Sequence, residues 1–226
     1  MLDIEREIEN CILEAIEEEY RSNYKEPSEY ISTTEAIQCL RRSYFNRKFP
    51  HEVPSWSTSA LIGKYLHELI ERYFEEKMCD YIVDCERTFT DGILSGTVDI
   101  LLIDPKTFNS IVVDLKTTSR IPAEPYYNHI LQVNTYLHLA DADMGYVVYI
   151  DKRFAKSISN AKFIKAFKIK FYNNCFDRWQ YRDYSLYQYV QRRAKVLKRC
   201  LEYDEIPDRE WTESCSNCEH VSRCIE

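Results

Sequence analysis

Two aspartates and a lysine interrupt apolar segments of the chain, where buried strands are expected. Asp99 lies in GTVDILLID, and Asp114 lies in IVVDLKTT with Lys116 two places later. A buried, unpaired carboxylate is costly, so each acid needs a cation, a metal ion or an exposed strand edge. Alternation along a strand puts Asp114 and Lys116 on one face, and Asp99 joins them if the two strands are neighbours.

This group predicts a site at the open edge of a sheet, where the carboxylates hold Mg²⁺ or Mn²⁺. The lysine would orient an attacking water or neutralise developing phosphate charge. D-x-K is a short pattern, however, and a structural ion pair at a sheet edge explains the same three residues.

Two predicted helices carry polar residues at one-turn spacing. Gly63, His67 and Glu71 follow one another at intervals of four, and Gln132 precedes Tyr136 by four. Residues four apart share one side of a helix. His67 is a candidate metal ligand, although a lone histidine on a half-buried helix is also typical of a core. Packing with a polar rim is the alternative for the other helix.

Three cysteines at the end of the sequence have metal-ligand spacing. Cys215, Cys218 and Cys224 form C-x2-C-x5-C, and a four-coordinate site needs one more ligand. His220 is the local candidate and favours zinc, whereas Cys39 is the distant one and favours a Cys₄ site. Zinc and an iron–sulfur cluster both fit this chemistry. The other five cysteines are predicted to be small buried residues: Cys11, Cys79, Cys85, Cys175 and Cys200.

Taken together, the first two groups of residues resemble the PD-(D/E)XK nuclease superfamily. Its signature is an acid on one strand, matched by Asp99, and an acid-x-lysine on the next, matched by Asp114 and Lys116. RecB-type members add G-x-x-x-H-x-x-x-E upstream and Q-x-x-x-Y downstream. The resemblance implies a restriction-endonuclease-like α/β fold with a central mixed sheet flanked by helices. It also implies the following site residues: metal ligands His67, Asp99, Asp114 and the carbonyl of Leu115; catalytic residues Asp99, Asp114, Lys116, Gln132 and Tyr136.

The cysteines narrow the resemblance to the CRISPR-associated RecB-like exonucleases, the Cas-four family. A single cysteine before a basic and aromatic stretch, here C-L-R-R-S-Y-F from Cys39, belongs to that pattern. The resemblance implies a [4Fe–4S] cluster on Cys39, Cys215, Cys218 and Cys224, which joins the N-terminal helices to the C-terminal tail. Two departures are Val98, where the signature has proline, and Asp114, where many members have glutamate.

The activity that this resemblance implies is metal-dependent cleavage of single-stranded DNA from a 5′ end. The biological role would be processing of DNA for CRISPR spacer acquisition, with the integrase proteins as partners. Three alternatives share much of the pattern. They are a viral or cellular recombination or repair nuclease, a non-catalytic cluster-stabilised DNA-binding module, and a zinc-ribbon adaptor.

Hydrophobic periodicity predicts the elements that position these residues. Ser32 and Glu35 have capping-box spacing, which predicts a helix carrying Cys39. Asp91-Gly92 predicts a hairpin turn between two strands. Further helices are predicted over residues 2–20, 59–77, 124–141 and about 176–203, and further strands over 110–118, 145–152 and 161–172. Three regions follow: an N-terminal helical region (1–80), a nuclease core (81–175), and a C-terminal helix with a cluster-binding tail (176–226).

Composition limits the classes that need consideration. The 226 residues are 45% hydrophobic and 30% charged, as expected for a globular domain with a sizeable core. A net charge of −7 argues against non-specific coating of nucleic acid. There is no apolar run of membrane-spanning length, and the N-terminus lacks the basic start of a signal peptide. We therefore expect a cytoplasmic protein that does not bind membranes, and a homo-oligomer is compatible with the sequence.

Overall fold

The structure is a computed structural model that describes most of the chain. The described residues are 28–50, 58–152, 163–173, 178–212, 215–216 and 218–225, with a few positions before residue 20. Most of the helix predicted over residues 2–20 lies outside them, as does Cys175.

Six strands form one mixed sheet. They are β1 (Ile31–Ser32), β2 (Ile82–Thr90), β3 (Leu94–Ile103), β4 (Ser110–Thr118), β5 (Met144–Asp151) and β6 (Ile164–Ile169). Strands β2 and β3 form the predicted hairpin around Gly92, whose φ is +94°. Strand β4 pairs antiparallel with β3 and parallel with β5, and β6 pairs antiparallel with β5. Strand β1 pairs parallel with the start of β3, and β7 (Phe171–Asn173) forms a separate small ladder with β8 (Arg178–Gln180).

Helices cover both faces of this sheet. They are α1 (Thr33–Ile37), α2 (Leu40–Lys48), α3 (Thr58–Lys77), α4 (Tyr127–Leu139), α5 (Tyr184–Tyr203) and α6 (Val221–Ile225). Helix α3 packs through Ile70 and Phe74 on one face, against a core that includes Leu115. Helix α4 packs through Val133 and Leu137 on the other face. A third core joins α1 and α2 to α5 and the start of β3.

The capping box forms, but its helix is shorter than predicted. The Ser32 hydroxyl accepts from the Glu35 amide at 3.2 Å, and the Glu35 carboxylate accepts from the Ser32 amide at 2.8 Å. Helix α1 then ends at Ile37, and Cys39 is the N-cap of α2. Cys39 therefore lies in the break between two helices instead of on a helix.

Three other sequence predictions need correction. The strand predicted over residues 161–172 is divided at Lys170 into β6 and β7. The last long helix begins at Tyr184 instead of about residue 176, because Asp183 caps it by accepting from the amides of Ser185 and Leu186. Of the cysteines expected to be buried, Cys200 is buried and Cys85 partly so, but Cys11 and Cys79 are exposed.

No helix in the described ranges is both long enough and apolar enough to span a membrane.

Candidate active site

The predicted acids meet at a gap between two central strands. The β3–β4 ladder stops at the Ile100–Val113 pair, and beyond it the Asp99 carboxylate accepts from the Leu115 amide at 2.6 Å. In an extended strand, the N–H and C=O of one residue point to the same side, so the Leu115 carbonyl also faces the gap. Strands β2 and β5 flank β3 and β4. The predicted position at an outer sheet edge is therefore wrong: the opening lies inside the sheet.

A left-handed residue in β2 accompanies this opening. Glu86 has φ +52°, which is uncommon for a residue other than glycine, and the β2–β3 ladder skips Glu86 and Asp99. Val98 and Ile100, two positions apart in β3, pack on opposite faces of the sheet. Strict alternation would put them on the same face, so the alternation of side chains along β3 is interrupted at Asp99. Sequence analysis missed Glu86, because a charged residue in an exposed strand carries no signal of its own.

Asp114 and Lys116 form the buried centre of the site. Asp114 has no exposed surface; its Oδ1 accepts from the Lys116 ammonium at 2.8 Å, and its Oδ2 has no hydrogen-bond partner among the described residues. Burial raises the pKa values of Asp99 and Asp114, while the positive charge of Lys116 opposes that rise. A buried carboxylate oxygen left without a partner is costly. A further cation bound to this oxygen would remove that cost.

Helix α3 brings His67 to the same gap. A Cβ on Gly63 would lie 2.9 Å from the Thr117 hydroxyl, so glycine allows the close approach of α3 to β4. The His67 Nδ1 atom then lies 3.7 Å from the Asp99 Oδ2 atom. Burial, followed by the charge of Lys116, lowers the pKa of His67. The neutral imidazole that results is the form that binds metal ions.

One turn further along α3, Glu71 is buried, and no described residue is a hydrogen-bond partner for its Oε1 atom. Burial raises its pKa to about 7, and the negative charges of Glu86 and Asp99 add to the rise. The motif spacing had indicated that Glu71 shares a side of α3 with His67, but it did not predict a buried acid.

Helix α4 presents the other predicted pair. The Gln132 side-chain amide donates to the Tyr136 hydroxyl at 2.7 Å, so the two side chains do lie together. A Cβ on Gly96 would lie 2.7 Å from the Tyr136 ring, so the ring packs directly on β3. Burial raises the pKa of Tyr136, and the Asp114 carboxylate raises it further. The roles of Gln132 and Tyr136 in holding DNA or supporting Lys116 stay predictions.

Two further polar residues near Lys116 were not anticipated. Tyr149 is the β5 partner of Lys116; its hydroxyl accepts from the Tyr126 amide at 3.0 Å and lies 2.7 Å from the His129 Nδ1 atom. Burial and the charge of Lys116 lower the pKa of His129 to about 4, so this imidazole is neutral at pH 7. A histidine at the start of a helix was the only sequence signal.

The four predicted cluster cysteines line one pocket, which shares no lining residue with the gap around Asp99 and Asp114. His220 lines it too, but its Nε2 atom lies 2.7 Å from the Asn46 side-chain oxygen and its ring packs on Phe45. That hydrogen bond engages the Nε2 atom and favours Cys39 over His220 as the fourth ligand. The cysteines around the pocket are Cys39, Cys215, Cys218 and Cys224, and none forms a disulfide.

Both neighbours of Cys39 are held by an ion pair from the C-terminal half of the chain. Arg193 donates to the Gln38 carbonyl at 2.7 Å and pairs with Glu210 at 2.5 Å. Glu210 in turn accepts from the Leu40 amide at 3.1 Å. On the far side of the pocket, the Thr212 amide donates to the Cys215 sulfur at 3.3 Å and lowers the pKa of that thiol.

In neither place are the side chains arranged around an ion. Among the described residues, no group of three or more His, Cys, Asp and Glu side chains is positioned to hold a metal. The ligand sets predicted from sequence therefore stay predictions, and so do the three region boundaries.

Comparison with known proteins decides the family. The model of the PD-(D/E)XK nuclease superfamily matches residues 12–225. The chain belongs to this superfamily. It is 27% identical over 140 residues to the CRISPR-associated exonuclease Cas4 of Saccharolobus solfataricus, an alignment that covers 59% of this chain and 68% of the relative.

Solved structures agree on the fold. The crystal structure of SSO0001 aligns with a TM-score of 0.63 at 19% identity and 95% coverage of both chains. An alkaline exonuclease (LHK-Exo) from Laribacter hongkongensis aligns with a TM-score of 0.51 at 13% identity, covering 78% of this chain and 90% of that one. The predicted fold class and superfamily are thus confirmed, and the chain is a nuclease of the PD-(D/E)XK type.

Proposed function

We propose that this protein is a metal-dependent exonuclease that cleaves single-stranded DNA from a 5′ end. The observation that carries the proposal is Asp114, a fully buried carboxylate with one oxygen on Lys116 and the other without a partner in the part of the chain that the structure describes. It lies on the strand next to Asp99, at a gap that His67 also reaches. An acid pair, a lysine and a neutral imidazole suit phosphodiester hydrolysis better than a structural ion pair.

The donors around this gap fit a divalent cation. The Asp99 and Asp114 carboxylates and the Leu115 carbonyl would hold Mg²⁺ or Mn²⁺, which favour oxygen donors, and the His67 imidazole would complete the ligand set. Such an ion, when bound, lowers the pKa of water and neutralises charge on the phosphate. Burial raises the pKa values of the two acids, and a bound cation would favour their ionised forms.

The other side chains would position the reactants. Lys116 is the one cation within hydrogen-bonding distance of Asp114 among the described residues, so its ammonium can orient a water or contact the scissile phosphate. Gln132 and Tyr136 would hold the DNA strand or support Lys116 through their mutual hydrogen bond.

A [4Fe–4S] cluster on Cys39, Cys215, Cys218 and Cys224 would connect the two ends of the fold. The four thiols lining one pocket and the amide donated to the Cys215 sulfur support this proposal. Anaerobically purified protein should contain iron and sulfide and absorb broadly in visible light, and Cys39→Ser should lose both. A colourless protein that contains zinc would favour the zinc-site alternative instead.

The proposed biological role is trimming of DNA before its integration as a CRISPR spacer, with the integrase proteins as partners. The similarity to a CRISPR-associated exonuclease supports it. Adding the protein to purified integrase should change the length of the DNA that is integrated. Unchanged lengths, together with active cleavage, would favour a recombination or repair nuclease.

The deciding experiment is degradation of end-labelled single-stranded DNA by anaerobically purified protein with Mn²⁺ or Mg²⁺. Lys116→Ala should abolish cleavage, whereas Lys106→Ala, in the exposed turn at the opposite end of β4, should leave it intact. Placing the label at each end in turn reports the polarity. Absence of cleavage by folded, cluster-loaded protein would favour a DNA-binding module.

A further inference from the structure

A cationic cavity lies beside the catalytic lysine, at the start of α4. Its wall is formed by the loop after β4 and by the first residues of β6, and it includes Arg120, Tyr126, Ile164 and Lys165. No acidic residue lines it within the described ranges, although Glu124 belongs to the same loop. The chain as a whole carries a net charge of −7, but the described lining of this cavity contains two cations and no acid. The local charge is therefore opposite in sign to the net charge.

Strand register places this cavity next to the active site. Lys116 pairs with Tyr149 across β4 and β5, and Tyr149 pairs with Lys165 across β5 and β6. Directly opposed residues point to the same face of a sheet, and neighbouring strands are about 4.8 Å apart. The Cα atom of Lys165 is therefore about 10 Å from that of Lys116, on the same face.

Neither cation of the cavity is paired with a carboxylate of the described residues. The guanidinium of Arg120, which is exposed, makes no hydrogen bond or ion pair within the described part of the chain. The Lys165 ammonium donates to the Ala123 carbonyl at 3.0 Å and lies 4.2 Å from the centre of the Phe167 ring. Neither contact involves a carboxylate. Both charges remain available to an anionic ligand.

An aromatic ring completes the cavity. The Tyr126 side chain is 53% exposed, while its backbone amide is fixed by the Tyr149 hydroxyl and its ring packs edge-on against the Tyr149 ring. An exposed ring held in place in this way is a stacking surface for a nucleobase.

We infer that this cavity binds one nucleotide of the single strand next to the scissile phosphate, with Arg120 and Lys165 on its phosphate and Tyr126 against its base. This inference rests on the proposed nuclease function and adds a binding subsite to it. This subsite would contact only the phosphate and one face of the base. Because every base can stack on an aromatic ring, we expect it to bind any of the four nucleotides.

The test measures binding separately from cleavage. A fluorescein-labelled oligothymidylate is titrated with the cleavage-deficient Lys116→Ala protein, and anisotropy gives Kd over a series of salt concentrations. Adding Arg120→Gln and Lys165→Gln removes two charges but keeps hydrogen-bonding groups. We expect Kd to rise on the order of tenfold, and the slope of log Kd against log salt to fall by about 0.7, since both cations contact one phosphate and each phosphate neutralised on a single strand contributes about 0.7.

The stacking role has its own signature. Tyr126→Ala should weaken binding roughly five- to a hundredfold without changing the salt slope. Lys106→Ala and Tyr203→Ala, at exposed positions away from the cavity, are the matched controls. If the double glutamine variant binds with the affinity and salt slope of Lys106→Ala, the phosphate assignment is wrong.

The two proposals fail separately. Protein that binds the oligonucleotide in this manner but never cleaves DNA would refute the nuclease function and keep the subsite. Active cleavage with unaltered binding by the double glutamine variant would refute the subsite alone.

Discussion

Replacement of Glu71 by glutamine should stabilise this protein at alkaline pH. The buried carboxyl has its pKa raised from 4.5 to about 7 by burial and by the neighbouring acids Glu86 and Asp99. The native state therefore holds a proton that the unfolded chain releases, so this group's contribution to stability is full below pH 4.5 and is lost as the pH rises to 7. A shift of this size corresponds to about 3 kcal/mol at pH 8, at 1.36 kcal/mol for each pKa unit.

Glutamine keeps the shape of the protonated acid and cannot ionise, so the Glu71→Gln protein should avoid this loss. In a protein of 226 residues, about 3 kcal/mol corresponds to a rise in Tm of roughly 6–12 °C. Thermal denaturation without divalent ions, at pH 5 and at pH 8, measures it. The two proteins should melt together at the lower pH and separate at the higher one.

The control is Glu76→Gln, on the exposed side of the same helix, which should shift Tm little at either pH. Added Mn²⁺ should raise the Tm of the native protein more at pH 8 than at pH 5, because its carboxylates are then ionised. If Glu71→Gln melts at or below the native protein at pH 8, the carboxylate has a favourable partner and the reasoning fails.

Three structural predictions follow from packing and hydrogen bonding. Gly145→Ala would force a Cβ into the Val133 side chain, and overpacking of this kind costs about 1–3 kcal/mol in chemical denaturation; an unchanged midpoint would mean that α4 shifts freely. Asn134→Ala removes two hydrogen bonds of 2.8 Å to the Asp183 backbone; the buried groups left unpaired should cost about 2–4 kcal/mol in chemical denaturation, and an unchanged midpoint would contradict a role in holding α5. Arg193→Met leaves the partly buried Glu210 carboxylate without its cation, which should cost about 1–3 kcal/mol and lower iron retention after gel filtration; full iron content would show that Cys39 does not need this ion pair.

The sequence was sufficient to predict the superfamily and most of the elements, because their signals are local. Alternation and one-turn spacing placed Asp114 with Lys116 and Gln132 with Tyr136, and both pairs are hydrogen-bonded. The hairpin turn at Gly92 was also predicted correctly, because the Asp91-Gly92 pair is a local signal.

What the sequence could not predict depends on contacts between distant segments. The gap inside the sheet requires the β3–β4 register to stop at Ile100, and the left-handed Glu86 that accompanies it has no pattern in the sequence. The break at Cys39 follows from Arg193 and Glu210, more than 150 positions away, which bind its two neighbours. No local propensity reports such a contact.

The cysteine pocket also has a consequence for the order of synthesis. Cys39 leaves the ribosome early, but Cys215, Cys218 and Cys224 emerge with the last segment of this chain. Contacts between segments this distant form late, because a long loop must close first. During translation the early thiol is therefore made before its partners, and insertion of the proposed cluster would have to wait until the last three cysteines have emerged. The supply of the proposed cluster would then determine when a newly made molecule reaches its full stability, in addition to the folding of the core.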